Sequence, residues 1–199
     1  MSSAGILRRP ADAAHPGLLR RLAVASMSLA LAVVLFHGNV ASALVTRGDD
    51  VLRAGDVEGA VRYYARAARL DGGSLVAADR LAFFLLMRRR AGDAARAYAI
   101  ADAVLRARAA SFERGDAAST SSLLADRALA ALRLGNVRAA EHDFTAAAAA
   151  AGDPRYAFLA AHAATRRGDR AAAREHLRAA LRFDASYAPA RSLLARLGR

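Results

Sequence analysis

A glycine turn that recurs four times is the feature that most constrains how this chain folds. In each copy the glycine is followed directly by Asp or Asn, and the four glycines are Gly55, Gly92, Gly135 and Gly168. Glycine readily takes the left-handed backbone conformation that ends a helix, and Asp or Asn caps the start of the next one. Each copy therefore predicts a tight junction between two consecutive helices.

Small residues at fixed distances from each turn glycine indicate how these helices pack. An alanine lies five residues after every glycine, at Ala60, Ala97, Ala140 and Ala173. Two antiparallel helices approach closely only where the residues between them are small. The glycines are separated by 37, 43 and 33 residues, close to a period of about 34. The pattern predicts helix pairs stacked one after another.

From about residue 44 to the carboxyl end, this pattern resembles the tetratricopeptide repeat family. The resemblance implies an all-α fold, a right-handed superhelix of about four helix-turn-helix pairs closed by a C-terminal capping helix. The second repeat is out of step with Gly92, so we expect its first helix to extend by about one turn, over roughly residues 75–90. Residues 109–122 are rich in Ser, Ala and Gly and predict a loop.

The first 43 residues have the pattern of a targeting segment. Residues 1–21 carry the arginine pairs Arg8-Arg9 and Arg20-Arg21, and residues 22–43 are uncharged and mostly apolar. Two interpretations stay open: a signal peptide cleaved after Ala43, or a retained transmembrane anchor. In the first case the repeat domain, residues 44–199, would be periplasmic or secreted. In the second it would face the periplasm from the inner membrane.

The net charge of +12 raises nucleic acid as a partner. All 30 basic residues are arginine, however, and they are interleaved with 18 acidic residues rather than gathered in a block. Few aromatic residues fall where bases would stack, and the export segment also argues against this partner. A basic helical-repeat protein that binds nucleic acid is therefore the alternative interpretation, and a protein partner is favoured.

No group of residues in the sequence supports catalysis. Cysteine is absent, which excludes disulfides, thiol catalysis and thiolate metal sites. His142, His162 and His176 fall on three different predicted helices, and neighbouring residues within a helix point about 100° apart. Phosphate-binding glycine loops and hydrolase motifs are also missing from the sequence. We expect neither enzymatic activity nor a cofactor or metal.

An arginine stands two residues before every turn glycine, at Arg53, Arg90, Arg133 and Arg166. One interpretation is that each cation stabilises the carboxyl end of a helix by about 0.3–1 kcal/mol. The other uses the family resemblance, which implies that first helices line a concave groove. The arginines would then form a basic stripe beside Phe158 and His162, and this stripe would bind an acidic protein or peptide.

The sequence thus predicts a non-enzymatic interaction scaffold. A role in envelope or secretion assembly follows only by analogy with proteins of this architecture. The alanine-rich outer faces leave self-association open as well.

Overall fold

The computed structural model describes residues 16–111 and 116–198, which fold into helices without any strand. The chain divides into two compact units between His37 and Gly38, and the first helix contributes residues to both. The helices are α1 (Pro16–Arg53), α2 (Val57–Leu70), α3 (Leu75–Arg88), α4 (Asp93–Ser111), α5 (Ala117–Arg133), α6 (Val137–Ala151), α7 (Pro154–Arg166), α8 (Arg170–Phe183) and α9 (Ala188–Leu197). The prediction of an all-α superhelix of helix pairs is confirmed.

The predicted glycine turns join the first and second helix of each pair. All four turn glycines have positive φ, between 78° and 89°. After three of them the capping side chain accepts a hydrogen bond from the backbone N–H three residues on, as Asp56 does from Gly59 at 2.7 Å. These bonds satisfy amides that have no partner inside the helix, which explains why Asp or Asn follows the glycine.

The second repeat departs from the prediction in its turn. The helix α3 ends at Arg88 rather than near Arg90, and Arg89 takes the left-handed conformation with φ of 55°. The extra residues therefore lengthen the turn and not the helix. The reason is an ion pair, because the Arg88 guanidinium binds Asp93 at the start of α4 and closes the turn around it.

Of the predicted loop over residues 109–122, residues 109–111 and 117–122 are helical, and residues 112–115 lie outside the described part of the chain. The helix α4 continues to Ser111, and α5 already begins at Ala117. The start of α5 is set by Asp116, whose carboxylate accepts hydrogen bonds from the N–H groups of Ala118 and Ser119. Capping at Asp116 outweighs the Ser- and Ala-rich composition that favoured a loop.

Large side chains fill the space inside three of the four pairs, where small residues allow close approach. Tyr64, Phe144 and Leu177, each nine residues after a turn glycine, are fully buried. A Cβ at Gly48 would lie 2.6 Å from Tyr64, so α1 and α2 can pack only because this residue is glycine. The Tyr64 hydroxyl donates to Asp49 at 2.7 Å, and burial raises the pKa of the phenol.

Two half-buried arginines connect helices of neighbouring repeats. Arg127 of α5 donates two bonds of 2.7 Å to Asp143 of α6 and one of 3.0 Å to Asp102 of α4. Arg88 donates two bonds to Asp93 and one of 3.0 Å to Glu58 of α2. We call these two groups the arginine clamps; both use the guanidinium fork, which suits carboxylates.

The predicted location at or beyond the inner membrane is wrong. No helix within residues 16–111 and 116–198 has the length and apolar character needed to cross a bilayer. The apolar run is interrupted at His37-Gly38-Asn39, and a crossing needs about 20 apolar residues. Beyond that point α1 continues, and its Ala41 and Val45 are buried in the repeat core. Arg8-Arg9 of the predicted targeting segment lies outside the described residues.

Candidate partner-binding face

Each first helix contacts a second helix through a small residue. The position of that small residue determines which side chains of the first helix are left on its exposed side. Gly48, Ala82, Ala128 and Ala161 are buried at equivalent positions of α1, α3, α5 and α7. The residues directly after them are Asp49, Phe83, Leu129 and His162, which are exposed or half-buried. We call the surface formed by these and the other exposed side chains of the first helices the first-helix face.

An apolar stripe on α3 is the most unusual part of the first-helix face. Val76, Phe83 and Met87 are 46%, 45% and 60% exposed. Their spacing of seven and four residues places them on one side of the helix. Leu129, at the equivalent position of α5, is also exposed, at 39%, and we count it with the stripe. Sequence reasoning missed this stripe because α3 is apolar on most sides, so the pattern does not show which side lacks a partner.

The four predicted stripe arginines do not occupy equivalent positions. Arg53, Arg133 and Arg166 are the last residues of α1, α5 and α7, whereas Arg90 lies in the lengthened turn. Arg53 pairs with Asp50 of its own helix at 2.8 Å, and Arg90 pairs with Glu58 at 2.8 Å. Arg90 and Arg133 both line a cavity of about 280 Å³.

Arg133 and Arg166 differ in what they contact. Arg133 donates from Nη1 to the carbonyl oxygen of Leu86, near the end of α3, and so connects two repeats. Arg166 makes no ion pair within the described part of the chain and is exposed. Arg133 is therefore engaged by a carbonyl of a different helix, whereas Arg166 is exposed at the end of its own helix, and the choice between the two interpretations stays open.

Replacing Arg133 with alanine is expected to lower the free energy of unfolding by about 1–2 kcal/mol, since it leaves a carbonyl of α3 without its charged donor. R166A is the matched control and should change stability by less than about 0.5 kcal/mol. Urea unfolding followed by circular dichroism measures both. Equal losses in the two variants would contradict a bridging role for Arg133.

Phe158 and His162, the other two predicted groove residues, lie together on α7. Their rings meet edge to face with centroids 4.6 Å apart, and Phe158 makes a similar contact with Tyr187 at 5.8 Å. Tyr187 precedes the C-terminal helix α9, so this aromatic group joins α7 to the capping helix. Phe158 is half-buried and His162 is exposed, which leaves the histidine ring accessible from the first-helix face.

A pair of carboxyl groups, the buried Asp126 and the half-buried Asp79, lies between α3 and α5. Asp126 is only 5% exposed, and neither its Oδ2 nor Oδ1 of Asp79 has a hydrogen-bond partner. Burial, and then the charge of Asp79, raises the pKa of Asp126 to about 8. Burial also raises the pKa of Asp79, against smaller opposing effects of Ser122 and Arg80. One sequence signal could have identified the pair, the tripeptide Ala-Asp-Arg that occurs in both helices.

The nearby acidic residues Glu141 and Asp143 bind different arginines. Asp143 binds Arg127, and Glu141 binds Arg167 at 2.9 Å. His142 is exposed, with its Nδ1 3.2 Å from Asp143. Within the described residues no group of three or more acidic or histidine side chains could hold a metal ion.

Comparison with known proteins bears on the fold. No protein-family model matches the sequence, and no curated protein matches it either. Among solved structures, MamA 41-end from Desulfovibrio magneticus RS-1 has a TM-score of 0.62 at 21% identity, over 79% of this chain and 83% of that one. TTC0263, a thermophilic TPR protein of Thermus thermophilus, has a TM-score of 0.59 at 20% identity, over 89% and 95%.

A third similar structure is YrrB, described as a TPR protein with an unusual peptide-binding site. Its TM-score is 0.59 at 15% identity, over 77% of this chain and 74% of YrrB. The chain spans 29% of the matched chain in the APC/C hetero-tetramer Cut9-Hcn1. These identities are too low to carry function from one protein to another. What they establish is that the chain has the tetratricopeptide repeat fold.

Proposed function

We propose that the protein is a non-enzymatic interaction scaffold that binds a partner protein through its first-helix face. The observation that carries this proposal is the exposure of Val76, Phe83 and Met87 on one side of α3. Contiguous exposed apolar side chains cost free energy in water, and in soluble proteins they commonly mark interaction sites. In the repeat domain, residues 44–199, the first helices would line the concave side of the superhelix.

The partner that fits this face combines apolar and acidic side chains. The apolar stripe would cover leucine-like or aromatic side chains, which contribute most of the binding energy at protein interfaces. Arg166 and His162 on α7 are exposed, and an arginine fork binds a carboxylate through two parallel hydrogen bonds. YrrB, which has the same fold, is described as having a peptide-binding site, and this supports a peptide or protein as the ligand class.

Nucleic acid fits the first-helix face less well. Phe83 is the one aromatic residue of the apolar stripe, and its neighbours Val76, Met87 and Leu129 are not aromatic, so the stripe offers a single ring rather than a series on which successive bases stack. Arg53 and Arg90 are already paired with acidic side chains, which reduces the positive charge available to phosphates. Protein binding is therefore the function that the geometry supports best.

Replacing Phe83 and Met87 with serine is expected to weaken partner binding at least about tenfold, because it removes exposed apolar contacts and leaves the core intact. The full chain is immobilised, and proteins captured from an extract of the source cells are identified by mass spectrometry. The affinity of each captured protein is then measured against the purified variants. The matched control is R178S/R182S, which alters exposed residues of the second helix α8.

Partners lost by F83S/M87S and retained by R178S/R182S would support the proposal. Retention of every partner by F83S/M87S would contradict it. A wild-type dimer that F83S/M87S converts to monomer in sedimentation velocity would instead identify a second copy of the chain as the occupant. An oligonucleotide of random sequence, titrated at two salt concentrations, tests the nucleic-acid alternative.

A further inference from the structure

A second surface with binding character lies between second helices, away from the stripe on α3. A cavity of about 350 Å³ opens between α2 and α4, and we call it the second-helix groove. Its sides carry Arg62, Arg66 and Arg69 from α2 and Arg96 from α4. These arginines are not part of the series found before the turn glycines.

The positive charge of the second-helix groove is largely uncompensated. Arg66, Arg69 and Arg96 are exposed and form no ion pair within the described residues. Arg62 has one weak contact, with Asp56 at 3.8 Å. Three or four cations therefore surround one cavity without acidic partners. Such an arrangement raises the local concentration of anionic groups and favours their binding.

The fifth arginine of the groove has a different role. Arg88 is mostly buried and binds both Asp93 and Glu58, as one of the two arginine clamps. Its charge is thereby used within the protein, and Glu58 also pairs with Arg90, so neither carboxylate is bound to the other arginines of the groove. The clamp also holds α2 and α4 on either side of α3, so the groove is formed before any ligand arrives.

The floor of the groove is apolar. It consists of Val61 of α2, Leu81 and Leu85 of α3, and the half-buried Ile100 of α4. A ligand must therefore present apolar groups to the floor and anionic groups to the arginines on both sides. Phosphates of a nucleic acid would satisfy the arginines but leave the aliphatic floor uncovered, since no aromatic ring lines it for base stacking.

We propose that the second-helix groove binds an acidic amphipathic helix of a partner protein. Leucine-like side chains at i, i+3, i+4 and i+7 would cover Leu85 and Ile100, and flanking carboxylates would pair with the arginine forks. This proposal is independent of binding at the first-helix face, because the two surfaces share no residue. It gives the scaffold a second site on the opposite helices of the repeats.

Fluorescence anisotropy with a defined peptide tests this proposal on the full chain. The probe is a labelled peptide of about 16 residues with leucines at helical spacing and glutamates elsewhere. A second peptide has serine in place of leucine, and a third has lysine in place of glutamate. R66A/R96A should weaken binding of the first peptide at least about tenfold. R178A/R182A, which removes two exposed arginines from α8, should leave it unchanged.

The outcomes separate the alternatives. Tenfold weaker binding of the serine peptide than of the first peptide would support an apolar floor. Equal binding of these two peptides, which share their glutamates, would overturn it. Undiminished binding to R66A/R96A, with helix content preserved, would also overturn the proposal. A single-stranded oligonucleotide that binds tighter than the peptide and loses affinity in R66A/R96A would identify nucleic acid as the ligand instead. Unchanged peptide binding to F83S/M87S would show that the two surfaces act separately.

Discussion

Replacing Arg127 with alanine is expected to lower the free energy of unfolding by about 3–5 kcal/mol, because it leaves a buried charge without its partner. Arg127 is 15% exposed and Asp143 only 3%. The two bonds of 2.7 Å between them are the shortest contacts of this clamp. With the guanidinium gone, the exposed His142 is the one remaining side chain among the described residues that contacts the Asp143 carboxylate. We expect α5 and α6 to separate more easily.

Arg106 provides a matched control for Arg127, because it also pairs with Asp102 but is 77% exposed. R106A should therefore cost less than about 1 kcal/mol. R127K keeps the charge but loses the fork, and its loss should be intermediate. The double variant R127A/D143A should be more stable than R127A alone, because it removes the unpaired carboxylate. Urea unfolding of all four variants measures these differences, and equal losses in R127A and R106A would contradict the buried-charge argument.

Replacing Asp126 with asparagine is expected to stabilise the protein at pH 8 by roughly 1–3 kcal/mol and to have little effect at pH 4. The pKa of Asp126 is raised from its usual value to about 8, chiefly by burial. The folded protein therefore keeps a proton that the unfolded chain releases above about pH 4. The free energy of unfolding therefore falls as the pH rises from about 4 to about 8, by up to about 1.4 kcal/mol per pH unit. The asparagine side chain of the variant cannot ionise, so this dependence on pH is removed.

Unfolding midpoints in urea between pH 4 and pH 8 measure this effect. The wild type should lose stability across the range, and D126N should lose much less; Asp79, whose pKa is also raised, accounts for the remaining slope. The control is D184N, because hydrogen bonds from Ser186 lower the pKa of Asp184. The stability that ionised Asp184 contributes is lost only as the pH falls below the usual pKa range of aspartate. The stability of D184N should therefore change with pH in parallel with that of the wild type above about pH 5. A D126N curve parallel to the wild type would contradict the argument.

The helix pairs could be predicted from the sequence because the residues that form them act locally. A glycine at Gly55 or Gly168 and the Asp after it determine a turn within a few residues, whatever the rest of the chain does. Small residues such as Gly48 and large ones such as Tyr64 recur at distances set by the helical repeat. The same local reasoning failed at Arg90, because the turn there depends on an ion pair between Arg88 and Asp93.

The candidate sites were less accessible to sequence reasoning. The arginines before the turns are regular in sequence, yet Arg133 binds the carbonyl of Leu86 forty-seven residues away, and Arg166 forms no ion pair in the described chain. The sequence also suggested a membrane-crossing segment, which the described helices do not contain. The arginine contacts depend on which residues a helix meets after it has formed, whereas the membrane prediction failed on the length of the apolar run, which is interrupted at His37-Gly38-Asn39.

By itself, the sequence determined the helix pairs, their order and their turns, because capping and close packing are encoded within one period of the repeat. Only the tertiary structure decided which side of α3 lacks a partner, that Asp79 and Asp126 share a buried space, and that four arginines of α2 and α4 surround one groove. Each of these depends on contacts between different repeats. Such contacts follow from the superhelical arrangement of the helices, which no single period of the sequence specifies.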